Sequence, residues 1–244
     1  TILDTIWSYS EYAINKPHEE PKTRGHRVTH IISREYGFSF IHIPKNGGST
    51  IRVGLESLDD TNRVFAPKSV DHEQLGRVWL GHLPLWAIEQ HYPSLYSSIR
   101  DSSAFAVTRD PFQRFASALA ERGRKFLDLD MGMLTNAQLH SEASKVIEVL
   151  RDSQGVLPPE FCHFTRQTEY VKDNSGSKLV KTYPIENYSD VLNDIKLHTG
   201  VVIGGGKVNS TKVIRFGGLG RLAKKTWKIA KPVIGEDIGD LVRR

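Results

Sequence analysis

The chain has 244 residues, 39% of them hydrophobic and 25% charged, which predicts one large or two small folded domains and excludes a fibrous or wholly disordered protein. The formal net charge is +5, but eight of the 33 basic residues lie between Lys207 and Lys231, a stretch without acidic residues. The single cysteine, Cys162, excludes an internal disulfide and a metal site built on several cysteines.

No apolar run approaches the roughly 18 residues of a membrane span, and the first residues do not resemble a signal peptide. We therefore expect a cytoplasmic protein without a transmembrane segment. Because the sequence begins at Thr1 rather than Met, an anchor removed from the N-terminus stays compatible with this expectation.

Residues 1–36 are largely polar and interrupted by prolines, and we expect an irregular lead-in there. The next stretch, Gly37–Ile43, is rich in aromatic and β-branched residues and predicts a buried strand. After the turn Gly47-Gly48-Ser49-Thr50, apolar residues recur at helical spacing from Ile51 to Leu58. This pattern predicts a strand, a glycine-rich loop and a helix.

The same order recurs twice. Arg77–Leu80 predicts a short strand that ends at Gly81-His82, with a helix after Pro84. Ala104–Thr108 predicts another strand, and the following Asp110-Pro111 predicts a helix to about Gly123. An aspartate accepts a free amide at a helix start, and a proline in the first turn has no amide to leave unpaired.

The remaining pattern continues this alternation. We predict helices at Asn136–Asp152, at Pro159–Val171 and up to about His198, and strands at Leu179–Tyr183 and Val201–Ile203. Strands that alternate with helices indicate an α/β fold with three layers, in which helices flank a central, mainly parallel sheet. We place this domain at residues 37–210 and a basic helical segment, packed on the domain or extending it, at residues 211–244.

Polar side chains follow three of the predicted strands: Lys45, His82 and Arg109. Parallel strands end at one edge of a sheet, where ligands of open α/β folds bind. The three side chains are therefore expected to converge on a binding site.

The loop before the first helix has the features of an anion site. Two glycines permit a tight turn, and the helix N-terminus presents free amides to a phosphate or sulfate. Lys45 precedes the glycines, whereas the Walker motif places its lysine after the last glycine. An ordinary Gly-Gly turn with a Ser/Thr cap is the alternative interpretation.

The second cluster follows the strand at Ala104–Thr108. Arg109 can bind a phosphate in bidentate fashion, while Asp110 is best explained as a helix cap. A surface ion pair at Arg109 and an ordinary helix hydroxyl at Ser117 stay open as alternatives.

Together, the two segments resemble the donor-binding motifs of sulfotransferases that use 3'-phosphoadenosine 5'-phosphosulfate (PAPS), in particular the carbohydrate-type branch that includes heparan sulfate 2-O-sulfotransferase and bacterial members. The segments are Ile43-Pro44-Lys45-Asn46-Gly47-Gly48-Ser49-Thr50 and Arg109-Asp110-Pro111-Phe112-Gln113-Arg114-Phe115-Ala116-Ser117. Weaker similarity extends to Gly81-His82, Arg166-Gln167, Glu186, Asn209-Ser210 and Gly235–Ile238.

The resemblance implies a P-loop-like fold and a role for each matching residue. Asn46, Gly47, Gly48, Ser49 and Thr50 would bind the 5'-phosphosulfate, with Lys45 beside the bridging oxygen, and Arg109 and Ser117 would hold the 3'-phosphate. His82, in a Gly-His context like that of the 2-O-sulfotransferase branch, is the candidate base. Its alternatives are His72, Glu73 and the strand residue His42, for which a packed core position is the simpler interpretation.

The resemblance also implies the product 3'-phosphoadenosine 5'-phosphate (PAP). The transfer requires no metal ion, and no carboxylate cluster for Mg²⁺ stands near the loop. Because the excess positive charge is confined to the C-terminal segment, we expect no nucleic-acid partner. The acceptor would be a glycan or a small hydroxylated metabolite.

Two other functions are compatible with parts of the sequence. A P-loop-like kinase would share the glycine loop, but it should carry a lysine after the glycines and an acidic Mg²⁺ ligand, and neither is visible. The basic C-terminal segment could bind anionic polymers or membranes without catalysis, since Leu219, Leu222 and Ala223 can share one face and lysines the other. The oligomeric state is not predicted.

Overall fold

A central four-stranded sheet organises the protein, in a computed structural model that describes residues 28–131 and 133–203. The strands, in chain order, are β1 (Ile31–Ser33), β2 (Phe38–Phe40), β3 (Ser69–His72), β4 (Gly76–Trp79), β5 (Ser103–Thr108) and β6 (Lys181–Pro184). The central sheet has the order β1-β2-β5-β6. Its β2–β5 and β5–β6 pairings are parallel and only β1 is antiparallel, so the prediction of a mainly parallel sheet is confirmed.

Six α-helices surround this sheet in the described part of the chain. They are α1 (Ser49–Leu55), α2 (Leu85–His91), α3 (Pro93–Arg100), α4 (Pro111–Arg122), α5 (Asn136–Asp152) and α6 (Tyr188–Thr199). Helix α3 packs near β1 and β5, and α6 near β5 and β6. None of the helices within residues 28–131 and 133–203 is long and apolar enough to cross a membrane.

Helix starts follow the predicted capping chemistry. The Asp110 carboxylate accepts the amide hydrogen of Gln113 at 2.8 Å, and Pro111 occupies the first turn of α4. Thr135 and Gln138 form a reciprocal capping box at the start of α5. Because these caps satisfy amides that the helix cannot, they stabilise both helices where the sequence predicts them.

Two apolar cores hold the layers together. The larger surrounds the sheet and includes Phe38, Phe40 and Phe105, and the smaller lies between α4 and α5 and includes Phe115 and Leu119. At roughly 1.5–3 kcal/mol for each fully buried large side chain, these cores outweigh single polar contacts in the folding free energy.

The strand predicted at Arg77–Leu80 is present as β4, but it does not join the central sheet, as the expected convergence of His82 with Lys45 and Arg109 would require. The strand at this position, β4, pairs antiparallel with β3 in a separate two-stranded sheet. The strand predicted at Val201–Ile203 is absent, since α6 ends at Gly200 with φ +71° and residues 201–203 have no regular structure.

The helix predicted at Pro159–Val171 is replaced by two short 3-10 turns, Cys162–Phe164 and Gln167–Tyr170. The intervening carbonyl of Thr165 accepts a hydrogen bond from Arg114 of α4 at 2.9 Å. Hydrogen bonding to another element thus replaces the helical pattern here.

At the N-terminal side, Ile31–Ser33 forms strand β1, although residues 1–36 were expected to be irregular. The predictions for residues 1–27, for the basic segment 211–244, and for Asn209-Ser210 and Gly235–Ile238 lie outside the described residues.

Candidate active site

The site is built where the parallel strands β2, β5 and β6 end. Lys45 follows β2 and Arg109 directly follows β5. The Arg109 guanidinium donates to the backbone carbonyl of Lys45 at 3.5 Å. The two strand ends therefore bring Lys45 and Arg109 together, as their sequence positions predict.

The loop between β2 and α1 needs its glycines. Gly47 has φ +79°, and a Cβ added there would lie 2.8 Å from a side-chain atom of Ile185. A Cβ at Gly48 would lie 2.9 Å from Nδ1 of His42 and 3.1 Å from the ring of Phe40. Gly48 is also the N-cap of α1, where it has no side chain to occupy the amides of the first turn. The loop thus packs closely on its neighbours and presents backbone rather than side chains.

Lys45 carries a largely buried ammonium group. Its side chain is 16% exposed, and its Nζ lies 3.4 Å from the Glu121 carboxylate. Burial lowers the pKa of Lys45, and the attraction of Glu121 opposes this effect only in part. Glu121 is shared with Arg124 at 2.6 Å, so the carboxylate does not fully neutralise either cation. Lys45 also has φ +69°, a conformation uncommon outside glycine.

One face of α4 connects the two cations. Gln113 accepts a hydrogen bond from Arg109 at 3.2 Å, and Glu121 contacts Lys45. Ser117 lies midway, four residues from each, so the helical repeat places it on the same face. Ser117 is buried, at 7% exposure. Lys45, Arg109 and Ser117, three of the predicted donor-binding residues, thus belong to one continuous region.

The buried side-chain amides of Asn46 and Gln167 connect the glycine loop to the segment that begins at Arg109. The Asn46 side chain, fully buried, donates to the Gln167 side-chain oxygen at 2.7 Å and to the Val107 carbonyl at 2.9 Å. Gln167 also accepts from the amide of Arg109 at 3.1 Å and donates to its carbonyl at 2.9 Å. The Asn46 side chain is therefore an internal support, and its predicted part in donor binding stays a prediction.

Replacing Gln167 by Leu should leave both backbone groups of Arg109 without this partner. Because each buried polar group left unpaired costs about 1–3 kcal/mol, we expect a clear loss in the free energy of unfolding, measured by urea denaturation. The exposed Gln90 of α2 supplies the matched control, Gln90→Ala. If Gln167→Leu and Gln90→Ala had equal free energies of unfolding, Gln167 would not stabilise the fold through the Arg109 backbone.

His82 reaches the site by a different path from the one expected. It ends a 3-10 turn, Leu80–His82, after the separate hairpin, and it is 9% exposed. Its ring lies 6.2 Å from that of His42, which follows β2, and 5.0 Å from that of His163. The alternative base His72 instead contacts His91 and Tyr92.

Burial holds the pKa of His82 and of His42 well below the usual range. His163 and Lys125 add repulsion to the imidazolium form of His82. His82 is therefore neutral near pH 7, the state in which an imidazole can accept a proton.

His163, Lys125 and Glu121 lie outside the motifs that the sequence reveals. Lys125, on a π-helical turn after α4, holds its ammonium 3.6 Å from the centre of the Trp79 ring, which stacks on His82. Such π-helical turns occur often at functional sites, but only the fold reveals this one.

His82, Cys162 and His163 each present a potential metal-ligating atom, and these atoms lie within 4.8 Å of one another. Their surroundings disfavour a dication. The Cys162 thiol donates to the Pro159 carbonyl, and burial raises its pKa to about 12, so the thiolate that a metal needs is costly. The nearby Lys125 ammonium adds repulsion.

Comparison with known proteins identifies a family for this chain. A family model described as the sulfotransferase family matches residues 28–177, which contain the glycine loop, Arg109, Ser117, His82 and Gln167. No curated protein and no solved structure matches significantly. Since the match spans more than half of the 244 residues, the chain belongs to the sulfotransferase family.

Proposed function

We propose that the protein transfers a sulfuryl group from PAPS to a hydroxyl group of an acceptor. Lys45, Arg109 and Ser117 lie around one glycine loop, at the edge of the central sheet where the parallel strands end. This arrangement is the observation that carries the proposal. A donor with a 5'-phosphosulfate and a 3'-phosphate has two anionic ends, and the region offers a cation near each end of one helix face.

The residues fit an anionic donor on local chemistry. Within residues 28–131 and 133–203, no group hydrogen-bonds the buried Nε of Arg109. Burial lowers the pKa of Arg109, which means that its charge is poorly solvated. A phosphate that accepts hydrogen bonds from this guanidinium would supply the missing partner and would also stabilise the poorly solvated charge.

Lys45 supplies the main electrostatic contribution in this scheme. When the bond between sulfur and the bridging oxygen breaks, that oxygen gains negative charge. A fixed ammonium beside it, together with the amides of the glycine loop, stabilises this charge more strongly in the transition state than in the ground state. The low exposure of Lys45 strengthens the effect, because water screens the charge less.

His82 is the proposed base for the acceptor hydroxyl. Its neutral imidazole can accept the proton that the hydroxyl loses on attack. Glycans and small hydroxylated metabolites are the proposed acceptors, since both offer hydroxyls that need such a base. The reaction scheme needs no metal ion, because the leaving group is a phosphate that is already a good anion.

Thermal unfolding in the presence of PAP or ADP tests the proposal. PAP should raise the melting temperature and ADP should not, because only PAP carries the 3'-phosphate assigned to Arg109 and Ser117. Arg109→Ala should remove most of the PAP shift, and Arg77→Ala, at an exposed position on β4, is the matched control. Equal shifts with PAP and ADP would instead favour an ordinary nucleotide enzyme.

A further inference from the structure

His163 lies beside the proposed base, His82, and feels the charge of the proposed transition-state cation, Lys45. Its ring meets the His82 ring edge to face, at 5.0 Å between centroids. Lys45 is its main charged neighbour, whereas Lys45 is not among the main charged neighbours of His82. His163, like His82, is partly buried. Of the two imidazoles, His163 is thus the one more strongly influenced by the Lys45 charge.

We propose that His163 is a second catalytic residue, which contacts the acceptor hydroxyl and shares its proton with His82. This inference rests on the proposed function, since it concerns how that site removes the acceptor proton.

The spacing of the two rings suits proton exchange. Potential ligand nitrogens of His82 and His163 lie within 4.8 Å of each other. One water that hydrogen-bonds both nitrogens at ordinary lengths spans about 4.6 Å. Nδ1 of His82 is buried and has no hydrogen-bond partner in the described ranges, so this ring keeps one unused hydrogen-bonding position.

The charges around the pair favour a single proton. The titratable and charged side chains that face the two rings are His30, His42, Lys45, Arg52, Arg114, Lys125 and Cys162. The charged members of this set are cations, and burial adds to their effect, so the pair begins neutral. Two imidazolium rings at this separation would repel each other, so the pair accepts one proton and holds it jointly.

The transfer step is balanced without another reactant. The acceptor oxygen forms a bond to sulfur while its proton moves to the His82–His163 pair, which receives it on one imidazole nitrogen. The bond between sulfur and the bridging oxygen breaks, and its electron pair stays on the 5'-phosphate of PAP. The proton then passes between His163 and His82 or leaves His163 for water, which restores the neutral pair.

The test compares His163→Gln and His163→Phe with His140→Gln, a change at an exposed position on α5. The Phe variant keeps an aromatic ring against His82 and so preserves the packing. We expect both His163 variants to lose about 100-fold or more in kcat, the usual contribution of a general base. The probe is labelled PAPS with a panel of a glycosaminoglycan oligosaccharide, an alkyl glycoside and a phenol. PAP affinity should change by less than about threefold, which separates catalysis from folding.

The outcomes distinguish the two proposals. If the wild-type protein forms no PAP with any panel member or with water, the proposed function fails. If wild-type turnover is present and either His163 variant matches its kcat and pH profile, the second catalytic residue is disproved. Should both variants unfold, imidazole ¹⁵N shifts of the wild-type protein against pH decide: the pair predicts two-step titration of both rings, and independent one-step curves contradict it.

Discussion

Replacement of Lys45 by Met lowers kcat by about 10²–10³-fold, the effect expected when one fixed group that stabilises developing charge is removed. Methionine is similar in length but carries no charge, so the loop and its packing should persist. PAP affinity should fall much less than kcat, because the bridging oxygen carries its extra charge mainly in the transition state. Steady-state turnover of labelled PAPS and titration calorimetry with PAP measure the two quantities.

Folding provides an internal check on this variant. Glu121 keeps its contact with Arg124 at 2.6 Å when the Lys45 ammonium is lost, so no carboxylate becomes isolated. Lys68→Met, at an exposed position, is the matched control and should retain full activity. A Lys45→Met enzyme with wild-type kcat would remove Lys45 from the transition state.

Replacement of His82 by Ala should nearly abolish turnover while PAP still binds. A general base contributes about 10²–10⁴-fold, and its loss leaves the donor residues Lys45 and Arg109 in place. The activity of the unaltered protein should also persist below pH 6.5, because burial moves the pKa of His82 well below that value. Activity then falls only as the pH drops through the lowered pKa, where the imidazole gains a proton and can no longer act as a base.

The pH–rate profile of kcat/KM and a PAP titration of His82→Ala check these expectations. His91→Ala, at a partly exposed position on α2, controls for the loss of an imidazole in general. Near-normal turnover by His82→Ala with unchanged PAP binding would exclude His82 from the mechanism. An acid limb at or above pH 6.5 would contradict a buried, neutral base.

Local signals predicted much of this fold correctly. Asp110 and Pro111 mark the start of α4, because capping chemistry depends on neighbours in sequence. Lys45 and Arg109 were expected to meet because each follows a strand, and the parallel pairing of β2 with β5 makes this so. Predictions that depend on a residue and its immediate neighbours were therefore reliable.

Features set by distant contacts were missed. Nothing near Gly76–Trp79 distinguishes a strand of the central sheet from one that pairs with β3. The turns around His163 replace a predicted helix because the Thr165 carbonyl binds Arg114, 51 residues away in sequence. The position of His163 beside His82 depends on these same turns. Its catalytic candidacy therefore has no signal in the local sequence.

Transfer of a labelled sulfuryl group from PAPS to an acceptor tests the proposed function most directly. The protein is incubated with ³⁵S-labelled PAPS and the acceptor panel, and labelled product and PAP are quantified together. Equal amounts of both are expected, reduced by about 10²–10³-fold in Lys45→Met and kept in Lys68→Met. The proposed function would be contradicted if no acceptor gave PAP and labelled product. It would also be contradicted if transfer persisted undiminished in Lys45→Met.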